Sequence, residues 1–484
     1  MEKGLKKDAI SGIKWTTITS LFNSIIAPFY QIFLALLLSP KEFAYIAVIS
    51  ILIGFSALIC EIGLGEALIQ KEKVSNQELS TLIYFNSIIT LLFTSIVYLL
   101  APYIQNYYKF LPELLLIIKL LCITLICNGI SAIFRINLQK YFLFKEYSLL
   151  QISKISIEIL ISILLIIKGI GIFGYVMGVL ISTIIYSLLI IIISINKTGI
   201  NLLFHFNIKD IVPFFTFGFS ISLKRILTFL SQRIDEIIVA GVLTANEMGI
   251  YYFGKRLILQ VQTVISNSYS QVLYPFFSRL KNDLKTFKKS YLEISYYTAM
   301  LAFPILIGIA LTIDLIIPII FGSEWIGATK IIKILSIAML FQILTANVAT
   351  STLYSLNKPK LVLYIDIFTI TTYLICLFLF SEQGLIMVLY IYTAYIISKA
   401  IILQVYVSKF LNYKFYEYIF RLKNIVISIF IMCLLVLSVQ YYFSINIYLK
   451  LLVSVLAGVI SYSSSQILLD KSHILNLLKF LKTN

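Results

Sequence analysis

The chain has 484 residues, of which 60% are hydrophobic and only 13% charged, and its mean hydropathy is +0.97. No water-soluble domain has that composition, so soluble enzymes and soluble binding modules are excluded. The formal charge of +17 would suggest a nucleic-acid partner in a soluble protein; in so apolar a chain it is an orientation signal, and no nucleic acid is expected.

A helix crossing a bilayer needs about 20 apolar residues. Runs of that length predict spans at 13–38, 43–69, 81–101, 112–134, 148–167, 170–195, 211–243, 248–278, 291–321, 331–356, 360–380, 384–407, 424–443 and 447–469. The reading is an all-α integral membrane protein of fourteen transmembrane helices. With the N-terminus inside, the cytoplasmic segments hold 24 Lys and Arg, while the outer loops hold four: Lys41, Lys109, Lys168 and Lys330. Adding Lys333 and Lys450, near outer helix ends, leaves the bias intact, and positive charge marks the cytoplasmic side. Both termini are therefore expected in the cytoplasm. Met1 to Lys7 is polar, and no small-residue cleavage site follows the first apolar run, so that helix is expected to act as its own insertion signal. The five cysteines lie inside apolar runs and predict no disulfide. His205 and His473 have no Cys or acidic neighbours at ligand spacing, so neither metal nor cofactor is expected.

An internal repeat gives the domain plan. LLLSPKEFAYI at 36–46 and GVLTANEMGIY at 241–251 align without gaps as L-[ST]-x-x-E-[FM]-[AG], at an offset of 205 residues. GIFGYVMG from Gly171 and GLIMVLYI from Gly384 occupy matching places at an offset of 213. The division that follows is an N-terminal lobe at 1–195, a cytoplasmic connector at 196–210, a C-terminal lobe at 211–407, and an added helix pair with a cytoplasmic tail at 408–484. Six helices per lobe is an even number, so the lobes are parallel repeats. Two such lobes enclose a cleft that rocking opens to each side in turn.

Polar residues indicate what the cleft holds. In the eighth run Tyr252, Arg256, Gln260, Thr263, Asn267, Ser270 and Gln271 recur every three or four residues, which puts them on one helix face. A stripe of that length cannot face lipid; it faces another helix or a water-filled cleft. The seventh run carries Lys224, Arg225, Arg233, Asp235 and Glu236. Folding the two runs as a hairpin about Asn246 sets Asp235 and Glu236 level with Lys255 and Arg256, so mutual neutralisation competes with ligand binding there. Arg225 lies deeper and is the strongest candidate to face an anion. Candidate substrate contacts are thus Arg225, Arg233, Lys255, Arg256, Gln260, Thr263 and Asn267. Glu61, Asp235 and Asp366 are candidates for ion coupling. Lys154 and Glu158, four apart, are expected to pair with each other. Lys119, Lys399 and Asp366 are expected to snorkel or to pair across helices, and Gly174 with Gly178 to serve packing.

EIGLGEALIQ from Glu61, RIDEIIVAGVLTANEMGIYYFGKRL from Arg233 and YPFFSRL from Tyr274, set in fourteen helices, resemble the Wzx-type polysaccharide flippases of the multidrug/oligosaccharidyl-lipid/polysaccharide superfamily. The resemblance covers nearly the whole chain. It implies transfer of undecaprenyl-pyrophosphate-linked oligosaccharide repeat units from inner to outer leaflet, by alternating access, for O-antigen, capsule or exopolysaccharide assembly. It also implies residence in the bacterial inner membrane, and the polysaccharide polymerase and other assembly proteins as partners beside membrane lipid. Relatives often carry Asp where this chain has Glu61. The competing readings are a multidrug exporter of the same superfamily, which is normally shorter by two helices and carries acidic sites for organic cations, and a membrane-bound polymerase or glycosyltransferase, for which the short loops offer no paired catalytic acids.

Overall fold

In hydrocarbon a backbone must satisfy its own hydrogen bonds, which leaves the helix as the economical form for long apolar runs. The computed structural model describes residues 2–61, 64–71, 74–443, 446–471 and 473; within them the side chains of 2–9, 60, 61, 66, 209, 213, 215–221, 223, 224, 227, 231, 267–272, 346 and 347 lie outside the description. Among the described residues there are helices and no strands. The chain elements are α1 (Glu2–Leu37), α2 (Pro40–Glu61), α3 (Leu64–Gln70), α4 (Asn76–Tyr107), α5 (Leu114–Lys140), α6 (Phe144–Leu165), α7 (Ile172–Thr198), α8 (Ile208–Val239) and α9 (Ala245–Leu280). They continue with α10 (Leu284–Ile320), α11 (Gly327–Ile343), α12 (Thr350–Ser355), α13 (Pro359–Phe380), α14 (Leu385–Phe410), α15 (Phe415–Arg421), α16 (Lys423–Tyr442) and α17 (Ile447–Leu469).

Eleven helices among the described residues are long and apolar enough to cross a membrane, which makes this a multi-pass membrane protein. They fall on eleven of the expected spans. The other three expected spans fall on α8, on α9, and on the run from α11 through a π-helical stretch at Leu344–Ala349 into α12. The helices run longer than the apolar windows, because a window marks only the part in hydrocarbon. At 37 residues α10 is about 55 Å long, against a hydrocarbon core of about 30 Å. The expected second span divides into α2 and the short α3. Large apolar side chains stand outward, such as Leu99 at 70%, Phe378 at 82% and Leu468 at 83% exposed, as a lipid-facing surface requires.

The helices sort into two compact units, Met1–Gly249 and Ile250–Asn484. This partition by contact falls within α9, whereas the division by repeat falls at 196–210. In the first unit α6 packs on α7 and α1, α5 on α7, α4 and α2, and α8 on α2, α3 and α4. The α6/α7 crossing is close because Gly178 has no side chain: a Cβ there would stand 2.0 Å from Ser162 Oγ and 2.9 Å from the Glu158 carbonyl oxygen. Gly174 and Gly178 are thus packing glycines, as expected. The turn between these helices uses Gly169 and Gly171 at φ 83° and 58°, where a Cβ would be strained. The connector lies along α4, with Leu203 N donating to Ser80 Oγ at 3.0 Å and Thr81 Oγ1 donating to the His205 carbonyl oxygen at 3.3 Å.

In the second unit α10 packs on α11, α16 and α17, α14 on α13 and α11, and α16 on α17. At the end of α17 the Tyr296 hydroxyl donates to Asp470 Oδ2 at 2.5 Å, His473 Nδ1 lies 2.6 Å from Asp470 Oδ1, and Asn424 Nδ2 donates to Asp470 Oδ2 at 3.4 Å. These bonds fasten α17 to α10 and α16.

The repeated motif is a structural device. Ser39 N and Oγ both donate to Glu42 Oε2 at 2.9 Å, while Glu42 N donates back to Ser39 Oγ at 3.4 Å. Thr244 and Glu247 do the same, at 3.0, 2.8 and 3.3 Å. Each copy is a capping box that starts a helix, α2 in one case and α9 in the other. The first copy does more, since Glu42 Oε1 also accepts from Ile172 N, at 3.1 Å, and so holds the start of α7. The first turns of α2 and α9 meet at Gly249, where a Cβ would stand 1.7 Å from the Pro40 carbonyl oxygen.

Candidate functional site

α8 and α9 place most of the expected cleft residues. On α8 Arg225 is exposed, while Arg233, two turns on, is largely covered and gives Nη1 to Glu236 Oε2 at 2.7 Å and to Ser50 Oγ of α2 at 3.5 Å. Asp235 and Glu236 are 0% and 1% exposed. Glu236 is therefore engaged by Arg233, one turn back on its own helix, which the hairpin argument missed. The signal was the i,i+3 spacing.

Along α9 the polar residues become more open toward the middle of the helix. Tyr252 is buried, Arg256 and Gln260 are half-buried, and Thr263 is exposed with its hydroxyl turned back to the Leu259 carbonyl at 2.7 Å. Arg256 Nε donates to Tyr252 Oη at 3.2 Å, and its guanidinium lies 5.3 Å from that ring. Lys255 is fully buried, with Nζ 4.9 Å from the Tyr392 ring of α14 and 5.7 Å from the ring of Tyr251. Such cation–π contacts lower the cost of holding an ammonium away from water. The side chains of Asn267 and Glu61 lie outside the described residues.

The other intramembrane charges sort differently. Lys399 of α14 and Asp366 of α13 form an ion pair at 2.8 Å across two helices, so the third ion-coupling candidate is held by an internal cation. Lys119 Nζ stands 5.4 Å from the Tyr98 ring. Lys154 and Glu158 act on each other electrostatically but form no ion pair among the described residues, and Lys154 Nζ lies 5.3 Å from the Tyr186 ring of α7. The expected i,i+4 partners are thus electrostatic neighbours that stop short of a bonded pair, with the Tyr186 ring as a second contact of the lysine.

The histidines also differ from expectation. His205 Nε2 lies 3.1 Å from Asp210 Oδ2 and His473 contacts Asp470, so both have acidic neighbours. Neither pair grows into a metal-binding group of three among the described residues. Asp470 lies just beyond α17. Burial opposes its ionisation, and hydrogen bonds from Tyr296 and His473 outweigh that, holding the carboxyl below its ordinary range.

With fold and charges in place, known proteins give the context. Residues 33–330 match the family described as polysaccharide biosynthesis protein. The chain belongs to that family. It is 25% identical over 469 residues to the teichuronic acid biosynthesis protein TuaB of Bacillus subtilis, covering 95% of each chain. It is 20% identical over 342 residues to the lipopolysaccharide biosynthesis protein WzxC of Escherichia coli, covering 70% of this chain and 68% of that one. Among solved structures, the lipid II flippase MurJ in an inward closed conformation superposes with a TM-score of 0.77 at 17% identity, over 96% of this chain and all of that one. An inward-facing multidrug resistance MATE transporter superposes at 0.59 and 13% identity, over 81% of this chain and 94% of that one. The fold is that of these all-helical transporters. The relatives are polysaccharide-pathway membrane proteins and transporters, and the family member described here is a transporter rather than an enzyme.

Proposed function

We propose that this transporter flips undecaprenyl-pyrophosphate-linked oligosaccharide repeat units from the inner to the outer leaflet of a bacterial plasma membrane, by alternating access of two six-helix lobes. The observation that carries this is the union of two facts: membership in the polysaccharide biosynthesis family, and a fold shared along almost the whole chain with a lipid II flippase. The chemistry agrees. A pyrophosphate cannot enter hydrocarbon without replacement of its hydration, and Arg supplies bidentate contacts where Lys supplies a point charge. Arg225, Arg233, Lys255, Arg256, Gln260, Thr263 and Asn267 are the groups assigned to it. The lobes are 1–195 and 211–407, joined by 196–210. The added pair and tail, 408–484, brace the second lobe. Fourteen spans with both termini in the cytoplasm follow from the Lys and Arg bias. The polysaccharide polymerase and other assembly proteins are the expected partners.

Outward movement of each negative charge gains about 2.3 kcal/mol per 100 mV of membrane potential, so a di-anionic head is driven in the required direction. The MATE likeness supports a drug exporter as second reading, but the net positive charge of Arg225, Arg233, Lys255 and Arg256 disfavours organic cations. The test is transport of a fluorescent undecaprenyl-pyrophosphate-linked oligosaccharide in proteoliposomes. Wild type is expected to flip it and folded Arg225→Ala to lose about tenfold or more in rate, the loss of a charge-assisted contact. Export of a cationic dye without flipping of several such lipids would replace this reading with the second.

A further inference from the structure

At seven residues α15 is too short to hold as a helix by itself, and its two sides are unlike. At about 100° per residue, Phe415, Tyr416, Ile419 and Phe420 share one arc of about 140°, and Glu417, Tyr418 and Arg421 fill the rest. The second side is fastened to α10. Tyr418 is buried and stacks on Tyr291 at 6.3 Å, Lys288 Nζ meets Glu417 Oε2 at 3.1 Å, and Arg421 Nη2 lies 3.9 Å from Glu293 Oε1. Lys288 also donates to the Asn412 carbonyl oxygen at 3.4 Å, just ahead of the helix. The first side is therefore held outward, and its four large side chains are 37–64% exposed.

Cations border this apolar side at both ends. Lys414 Nζ stands 5.8 Å from the Tyr416 ring and Lys423 Nζ 4.1 Å from the Phe420 ring, and both lysines are exposed. Rings and aliphatic groups on one face, with lysines beside them, are the composition of a helix that lies in a bilayer interface, where the rings enter the acyl boundary and the ammonium groups reach phosphates. Two further observations choose lipid over a soluble partner. The side is continuous with a hydrocarbon-facing surface: the span α16 begins at Lys423, its Val426, Ile427 and Phe430 are exposed, and Asn424 Nδ2 donates to the Leu469 carbonyl oxygen at 3.2 Å, beside exposed Leu468. The side is also small. Its four residues expose about 400 Å², half of the roughly 800 Å² that each partner gives to a standard protein interface.

We propose that α15 is a docking site for anionic phospholipid: Phe415, Tyr416, Ile419 and Phe420 enter the leaflet at the start of α16, and Lys414 and Lys423 hold headgroup phosphates. The site does not depend on the flippase reading above, and the Lys and Arg bias assigns it to the cytoplasmic leaflet. Each lysine near an anionic surface adds about fivefold to binding. α15 joins α14 to α16, so the docked helix fixes the level at which the added helix pair stands in the bilayer. The pairs Lys288 with Glu417 and Arg421 with Glu293 carry that hold to α10.

The test puts an indole on the site. Full-length Phe420→Trp is reconstituted in vesicles of phosphatidylglycerol and phosphatidylcholine in equal parts, with one lipid brominated at a time. Bromine quenching is read after subtraction of the wild-type signal, which comes from Trp15 and Trp325. Both brominated lipids are expected to quench the introduced indole, with phosphatidylglycerol preferred at low salt and the preference falling as salt rises. In the same background Lys414→Gln and Lys423→Gln should each lose about fivefold of that preference, and Lys414→Arg should keep it. The double Gln variant should still be quenched, by both lipids alike. Inorganic phosphate should act no differently from sodium chloride at equal ionic strength. Quenching by neither lipid would overturn the docking and leave the face to a soluble partner. Equal quenching by the two lipids in Phe420→Trp, a preference that survives the double Gln change, or one that phosphate abolishes at matched ionic strength would overturn the anionic-lipid site.

Discussion

Lys399 and Asp366 sit on different helices and meet at 2.8 Å, whereas Lys154 and Glu158 sit four residues apart on one helix and make no ion pair. Pairing on a single helix face gains only about 0.2–0.5 kcal/mol, so any better neighbour displaces it. For Lys154 that neighbour is Tyr186, since a desolvated cation–π contact reaches about 2 kcal/mol. Across the α13/α14 seam the two long side chains extend toward each other and have the geometry to neutralise. One seam therefore joins its lysine to its acid in a direct pair, and the other divides its lysine between an aromatic ring and an acid it does not touch. A third acid, Asp470, lies outside the membrane segments and is saturated by hydrogen bonds instead.

The largest expected effect separates the paired seam from the rest. Lys399→Ala leaves Asp366 without its cation and should cost about 2–3 kcal/mol, less than for a fully buried pair because each side chain is about one-third exposed. Thermal unfolding in detergent measures it, and Asp366→Leu with Lys399→Leu should return most of the loss. Next comes closure of the unpaired seam's back wall. Gly178→Ala drives a methyl against Ser162 and the Glu158 carbonyl, at an expected cost of about 1–2 kcal/mol by the same assay.

Asp470→Asn should cost about 1 kcal/mol near neutral pH. Its folded carboxyl lies below the ordinary value of 3.8, so its contribution is present above that value and is lost as pH falls through the folded one. Unfolding of wild type and Asp470→Asn should therefore converge in acid and diverge toward neutrality; a constant difference would refute the hydrogen-bonded acid. The smallest effect is on Glu158→Gln, expected at about 0.2–0.5 kcal/mol, the worth of a charge acting on Lys154 four residues away on the same helix. A loss as large as that of Lys399→Ala would show that the two seams are alike after all.

Legibility follows the range of the forces involved. The spans were readable because apolar runs record contact with hydrocarbon, a property of each segment by itself. Helix ends were read short, because polar residues that carry a helix beyond the bilayer leave no apolar mark. The repeated S/T-x-x-E was visible as a repeat, and its spacing also contained its role as a capping box. Arg233 with Glu236 was readable from spacing but was passed over for a partner on another helix. Glu158 was not readable. Its surroundings depend on Tyr186, 28 positions away from it in the chain, contacting Lys154, and on α1 running parallel to α6, neither of which leaves a pattern in local sequence.

Ala44 and Gly249 hold the same place in the two copies of the repeat, yet only one has a side chain. Where the first turns of α2 and α9 touch, a methyl on the Gly249 side would collide with the Pro40 carbonyl, while Ala44 keeps its own. Two identical copies could not have closed on each other at this point. Divergence at that single carbon is thus a condition of the contact: the two matching segments can touch there only because one of them lacks a methyl.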